Sequence, residues 1–522
     1  VRLTETKRNS LFYSSAQASF SLLKNTNKNY IENNLKLSGF RDSQRGRIGT
    51  AGLNIEQHLN NPFYGISNQL EAIRPVGLQL VSFSSAIAFS STPQRLQVSP
   101  GQFTELLSNG APYDGLEQEI NLTSLYTHHT ASIARGIKRW TFTPRLGLQT
   151  QSQKLESELV KVQHRDATAQ ECLFRNNLHW ESRRYYGQLD VGHKAKNWEM
   201  TARLPLSFQS FALQDGPLNR EQDLNRFTLE PNLLLRYDFS PLWRARASFR
   251  LANQFGNIGQ MNYAHILKDY RNLQLNDSPL REGLSRDYSL GLAYKNSLKS
   301  VFANLSYSFN TAESNLTYQN ELQANGALIV KALNHPSTAL SHTIGLQASN
   351  YLSDLRATIG FGTNLYLNQR EQILNNSLKT VQNQHLAFNI RANTSVAAWL
   401  GLDYKSTFSI LKNSFEAGAP SKQVAQQEHH AGINIHPADR NFIGLTAAYY
   451  HNNFSQENPS SFFGDLLYRY TFERKRLDVE VKWTNILNVS AYTHSYNDAF
   501  MFVQSTYQLR PSQLLFSLRF SL

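Results

Sequence analysis

From Phe516 to the end of the chain apolar and polar residues alternate without a slip: Phe516, Leu518, Phe520 and Leu522 against Ser517, Arg519 and Ser521. The same period of two recurs upstream. Over 477–484, Leu477, Val479, Val481 and Trp483 alternate with Asp478, Glu480, Lys482 and Thr484. Over 243–251, Trp243, Ala245, Ala247, Phe249 and Leu251 alternate with Arg244, Arg246, Ser248 and Arg250. The stretches 227–239, 355–367 and 400–410 repeat it. A period of two is the signature of a strand with one apolar and one solvated face. Many of these runs approach a dozen residues, where soluble strands usually hold about five or six. Their polar faces carry full charges at mid-strand, and the 522 residues hold about 21–22 such runs. Together these features predict an all-β fold: a large transmembrane antiparallel β-barrel of about 22 strands, apolar towards lipid and charged towards a wet lumen.

Connection lengths orient the barrel. Tight turns are predicted near 25–29, 135–138, 194–197, 240–241, 295–298, 350–353, 394–397, 436–440 and 473–476. Long connections are predicted near 91–115, 153–171, 255–283, 311–340, 369–382, 413–425, 453–460 and 486–498. Outer-membrane barrels pair short periplasmic turns with long extracellular loops. Residues 59–74 read either as a longer periplasmic segment or as part of a strand. Trp140, Trp198, Trp243 and Trp399 each follow a tight turn and are predicted to form one interfacial belt. A last strand running down through 510–522 makes 4–24 run down as well, so one up-going strand is expected ahead of it. The alternative is that 498–509 and 511–522 are two strands and the chain closes by itself.

Composition narrows the reading. The chain is 40% hydrophobic, yet no stretch reaches the roughly 18 consecutive apolar residues of a spanning helix. An 11% aromatic content argues against disorder. No linker or composition shift divides the chain, so 1–522 reads as a single domain. The formal net charge of +13 comes from basic residues scattered along the chain rather than gathered in one patch, which speaks against a nucleic-acid partner. Cys172, the single cysteine, reads as a small apolar filler.

No nucleotide loop, zinc-hydrolase helix motif or nucleophile elbow occurs, and the chain is not read as an enzyme. His128–His129 and Glu428–His429–His430 invite a metal reading. Adjacent strand residues point to opposite faces, however, so solvated strand-end histidines are expected, with no metal and no cofactor.

The stretch WTNILNVSAYTHSYNDAFMFVQSTYQLRPSQLLFSLRFSL resembles the end of TonB-dependent outer-membrane receptors, in a form like those of the Bacteroidota. Asn485, Ile486, Leu487, Asn488 and Tyr492 match the first part of the family's closing element. Tyr507, Leu509, Arg510, Pro511 and Gln513 match the second, and Phe520 stands near its terminal aromatic, followed here by Ser521 and Leu522. The resemblance implies that Pro511 lies in a bulge of the last strand. It also implies active uptake of a large nutrient: a siderophore, a cobalamin-like cofactor, an oligosaccharide or a peptide. Implied partners are outer-membrane lipid and lipopolysaccharide, a plug domain and TonB engaged through upstream sequence, and a surface lipoprotein. Alternative readings are a scaffold barrel that docks a surface complex, and a passive channel.

On this reading Arg203, Arg236, Arg244, Arg246, Arg250, Arg356, Arg391 and Arg519 line the lumen with Lys405 and Lys482. Glu230, Asp238, Asp403, Asp465, Asp478 and Glu480 share that face. They form either an ion-paired wall against the plug or, around Arg244, Arg246 and Arg250, a path that attracts anions. The long loops are the expected recognition surface. In them, Ser99–Pro100 is predicted to open a short helix ending at Gly110, and Tyr263, Tyr270 and Tyr318 are candidates to stack on ligand rings.

Overall fold

The computed structural model describes residues 5–26, 28–50, 53–163, 166–169, 174–322, 328–374, 377–415, 423–453, 460–497 and 502–520. Cys172 lies outside them, as do most of 413–425 and 453–460.

Among the described residues twenty-one wall strands run in series. They are β1 (Glu5–Asn25), β2 (Tyr30–Thr50), β3 (Leu53–Val76), β4 (Gln79–Ser99), β5 (Gly115–Ile137), β6 (Trp140–Gln163) and β7 (Arg175–Lys194). There follow β8 (Trp198–Asp215), β9 (Arg220–Leu229 continued by Asn232–Asp238), β10 (Trp243–Phe255), β11 (Glu282–Asn296), β12 (Val301–Ser314), β13 (Ser337–Leu352) and β14 (Ala357–Leu374). The last are β15 (Ser377–Ala397), β16 (Leu400–Phe415), β17 (Val424–Ala438), β18 (Asn441–Asn452), β19 (Ser460–Phe472), β20 (Leu477–Thr484) and β21 (Gln513–Phe520). Each pairs antiparallel with its neighbours in sequence, from β1–β2 to β20–β21. An odd count makes β1 and β21 run the same way, both towards the tight-turn side. Among the described residues β1 pairs only with β2, and β21 only with β20.

The sheet is rolled into a barrel wall. The connection between β10 and β11 reaches side chains of β1, β3, β5 and β7, which a flat sheet would hold many strand spacings away. The two faces follow the predicted alternation. Leu290 is 58% exposed, Leu146 71% and Phe227 78%, all on the outward face. A continuous apolar surface of this size is not sustained against water by an ordinary soluble monomer.

The tight turns fall at one end, as expected, with one more at Gly77–Leu78, where Gly77 takes a positive φ of 61°. That turn decides the open reading of 59–74: the segment belongs to β3, a continuous 24-residue strand that accommodates Pro62 opposite Arg41. Several predicted long loops are largely strand. β4 runs to Ser99 and β6 to Gln163, and β14 and β15 pair as far as Leu374 and Ser377. Strands of 20 to 24 residues are longer than the roughly 10 residues that a tilted strand needs to cross a bilayer.

Three local expectations are corrected. The helix of the 100–114 loop is Thr104–Ser108, and Pro100 does not open it; the Gly110 N–H does close it, donating to the Thr104 carbonyl at 3.0 Å. Pro511 lies ahead of β21 rather than in a bulge within it, where its missing N–H removes no ladder bond. The strand expected at 498–509 does not join the wall: Phe502–Gln508 pairs with Ala491–Asn497 in a separate ribbon. The chain therefore does not close by means of that strand.

Candidate functional site

The inner wall from β6 to β10 is crowded with guanidinium groups. Arg203 Nε lies 3.3 Å from Asp190 Oδ1, and Arg145 3.8 Å from the other oxygen of that carboxylate. Arg236 pairs with Glu199 at 2.8 Å, Arg244 with Asp238 at 2.5 Å, and Arg184 with Glu230 at 2.6 Å. Ladder register places these side chains on one face, because Arg236 stands opposite Arg246 and Asp238 opposite Arg244. Arg246 and Arg250 make no ion pair among the described residues. The Nε atoms of Arg145 and Arg184 are buried without an acceptor. Beside them the Tyr186 hydroxyl and His128 Nε2 share a hydrogen bond of 2.9 Å, and the Arg184 guanidinium sits 5.4 Å from the Tyr186 ring centre. Gly147 makes room for Tyr186, since a Cβ there would collide with its ring. The ion-paired wall and the arginine excess are thus both present on this face.

Elsewhere the expected lumen residues separate. Arg391 stands opposite Lys405, and Arg519 opposite Asp478, on the inner face of β15–β16 and β20–β21. Asp465 holds Lys482 at 3.6 Å, and Glu480 holds Arg469 at 3.8 Å. Arg356 is not on the wall. It occupies the tight turn before β14 with φ 45°, because the alternation that included Leu355 starts two residues later than the sequence implies. The paired histidines split between faces: His128 contacts Tyr186 and His129 contacts Ser85, while His429 meets Tyr404 and His430 meets Tyr450.

Trp140, Trp198 and Trp243 open β6, β8 and β10, and Trp399 precedes β16, so all four sit at the tight-turn end and are exposed. The His193 ring bridges Trp140 and Trp198 with centroids 4.2 and 4.5 Å away, and Trp243 packs 4.9 Å from Tyr294. At the C-terminus the matched motif residues have definite structural work. Asn485, with φ 51°, donates to the carbonyls of Val489 and Arg510 at 2.9 and 3.0 Å. Asn488 accepts from the Ser512 N–H at 3.0 Å. These bonds fix where Arg510–Ser512 turns into β21. Tyr492 packs against Tyr450 and Phe463, Tyr507 stands opposite Tyr492, and Phe520 is outward and exposed.

Above the arginines the inner wall becomes apolar, which the alternation does not announce. Leu155 of β6, Leu178 and Trp180 of β7, and Phe211 and Leu213 of β8 all face inward and are buried. The cover is the 256–281 connection, whose Ile258, Met261, Tyr263, Ile266 and Leu280 pack onto them. Its other half, Leu267, Tyr270 and Leu273, joins Ile48, Ile55, Leu96, Val98 and Leu116 on β2–β5. Tyr263 and Tyr270 are therefore 2% and 6% exposed and are not presented to a ligand. Burial pushes the Tyr263 phenol up to about 12, and burial with the neighbouring Glu5 raises Tyr270. Tyr318 is half-buried in the hairpin Thr317–Leu322/Leu328–Leu333, whose second strand pairs with Asn272–Leu275 of the same connection.

No family model and no curated protein matches the chain. Among solved structures it is similar to FpvA of P. aeruginosa bound to heterologous pyoverdines, at 10% identity over 99% of this chain and 71% of that one, with a TM-score of 0.49. It is similar to the copper transporter OprC at 10% identity, over 99% of this chain and 80% of that one, with a TM-score of 0.48. It is similar to the ferric-catecholate import receptor Fiu of E. coli at 9% identity, over 98% and 80%, with a TM-score of 0.42.

Proposed function

We propose that the chain is the barrel wall of a TonB-dependent outer-membrane receptor that takes up a nutrient too large for porins. The carrying observation is the two-faced wall. Long antiparallel strands expose Leu146, Phe227 and Leu290 outward and hold arginine–carboxylate pairs inward. One end carries only short turns, and all the long connections, such as 256–281, lie at the other. A closed barrel satisfies its backbone within the bilayer, and the tight-turn end with its tryptophans is the periplasmic boundary.

The C-terminal element supports the family assignment, and with it a receptor of Bacteroidota type. On this reading a plug and TonB engage through sequence outside this chain, lipopolysaccharide and lipid cover the outward face, and a surface lipoprotein docks on the long-loop side. The cargo is a siderophore, a cobalamin-like cofactor, an oligosaccharide or a peptide. The unpaired Arg246 and Arg250 favour a cargo bearing anionic groups.

Fractionation and uptake test this proposal. The full-length protein is expected in the outer membrane, extracted only by detergent, and its cargo is expected to accumulate only while TonB and the proton gradient are intact. Recovery in a detergent-free soluble fraction overturns the barrel reading. Uptake that persists without TonB leaves a passive channel instead.

A further inference from the structure

We propose that the 256–281 connection is a strap that folds into the long-loop mouth of the barrel, seals it in the resting state, and must release from β1–β8 before a solute passes. The proposal rests on the barrel reading above.

The geometry points to this role in three ways. First, the strap leaves the wall between the tenth and eleventh strands and anchors on the opposite side. The Tyr270 hydroxyl donates to Glu5 of β1 at 2.7 Å, and the Tyr270 N–H donates to Gln57 of β3 at 2.9 Å. The Leu267 N–H donates to Gln118 of β5 at 2.9 Å, and the Ala264 N–H donates to Asn176 of β7 at 2.8 Å. Second, three of the four anchors, Gln57, Gln118 and Asn176, are neutral amides projecting inward from the wall, and the fourth, the Glu5 carboxylate, also pairs with Arg271 of the strap at 3.4 Å. Gln118 and Asn176 are each 1% exposed, and their oxygens take up backbone donors that burial would otherwise orphan. Third, the strap converts an apolar inner surface into an interior. Without it Leu178, Trp180 and Leu213 would face the water of the lumen, against the outward-apolar rule the rest of the wall obeys.

The strap is also arranged to come away as a unit. Its root is closed by the Gly256 N–H donating to the Arg281 carbonyl at 2.9 Å. Its middle is tied to itself, with Asn276 bonded through both backbone and side chain to Asn262 at 2.9 Å. Attachment to the wall is therefore by discrete hydrogen bonds, the Arg271–Glu5 ion pair and two apolar clusters, which can part while the internal ties persist. The hairpin Thr317–Leu322/Leu328–Leu333 pairs with Asn272–Leu275 and braces the strap from the side.

The test uses the full-length protein with Cys172→Ser and single new cysteines labelled by a membrane-impermeant maleimide. Ala264→Cys is expected to label at least about tenfold more slowly than Leu106→Cys, an exposed position of the 100–114 loop, because labelling waits on local opening. Gln149→Cys reads the lumen beneath the strap, since Gln149 pairs with Arg184 on the inner wall. Its labelling from outside intact cells is expected to rise about tenfold when Gln118→Ala and Asn176→Ala remove two anchors. Replacing 258–280 by a short Gly-Ser linker is expected to raise it at least as far. Equal labelling of Ala264→Cys and Leu106→Cys overturns the strap, and so does a Gln149→Cys rate indifferent to the anchors. Should the linker variant not assemble, the two anchor substitutions and the Ala264→Cys comparison decide alone. Failure of the barrel reading looks different: Leu106→Cys would then stay unlabelled on intact cells while Ala264→Cys remained protected in purified protein.

Discussion

Replacing Leu290 by arginine separates a membrane wall from a water-soluble one. Leu290 is 58% exposed on the outward face of β11, between Ala247 of β10 and Tyr307 of β12. It stands four residues from Tyr294, which packs on Trp243 at the tight-turn boundary. Four residues at a rise of ~3.4 Å and a tilt of ~40° lift it ~10 Å. That is near the middle of an apolar band about 25 Å tall, where an outward arginine costs about 2–4 kcal/mol. In a soluble protein a residue this exposed would tolerate the change within about 0.5 kcal/mol. The control is Asn304→Arg on β12, next to Ala293 in the ladder, exposed, inward and free of side-chain bonds among the described residues. The assay is denaturant unfolding from lipid vesicles, together with heat-modifiable migration. Leu290→Arg is expected to lose the full cost and Asn304→Arg less than about 1 kcal/mol. Equal effects at the two positions, or none at Leu290, would refute the assignment of faces.

Further outcomes follow from the strap and the arginines. Trp180→Ala removes a side chain 2% exposed beneath the strap and should weaken its docking by about 3–5 kcal/mol; amide exchange of 262–275 is expected to speed up while the wall keeps its protection. The docked strap keeps the Tyr263 phenol protonated, with its pKa pushed up to about 12. Its contribution is therefore complete below the ordinary tyrosine value of about 10 and lost as the pH rises through the raised one. Tyr270 is raised as well, so Tyr263→Phe should narrow that alkaline window and the double change with Tyr270→Phe abolish it, read by maleimide labelling of Gln149→Cys against pH. Arg246→Ala with Arg250→Ala should lower the anion preference of a plug-deleted barrel, measured as a shift of reversal potential towards cation selectivity. An unchanged potential leaves the arginines a purely structural part of the wall.

The alternation made the wall legible because one buried face forces one phase along a strand. Leu477–Thr484 and Trp243–Leu251 could therefore be assigned residue by residue. Most tight turns were legible for the same reason, as breaks in phase, four of them followed by a tryptophan. Segment 59–74 was not, since Pro62 and the run Asn60–Asn61 obscure a strand whose ladder to β2 runs unbroken through them while its ladder to β4 is interrupted at 61–63. Arg356 was misplaced because a turn residue can fall in phase with the strand after it. The strap was illegible for a deeper reason. Its partners Gln57, Gln118 and Asn176 lie 88 to 213 residues away, and an inward leucine such as Leu213 looks the same in sequence whether a loop or water covers it. A usable hint existed: inner positions of β7 and β8 change from Arg184 and Arg203 to Trp180 and Leu213 within one strand length. Recognition residues on the long loops remained a matter of chemistry without placement, and Tyr263 and Tyr270 turned out to serve packing.

The two-faced membrane wall is tested most directly by a spin-label scan of residues 287–293 on β11 in lipid vesicles. Collision with oxygen, which concentrates in lipid, is expected to peak at 288, 290 and 292, and collision with a water-soluble nickel chelate at 287, 289, 291 and 293. In-phase profiles, or oxygen values without a period of two, would contradict a barrel that turns Tyr288, Leu290 and Leu292 to lipid.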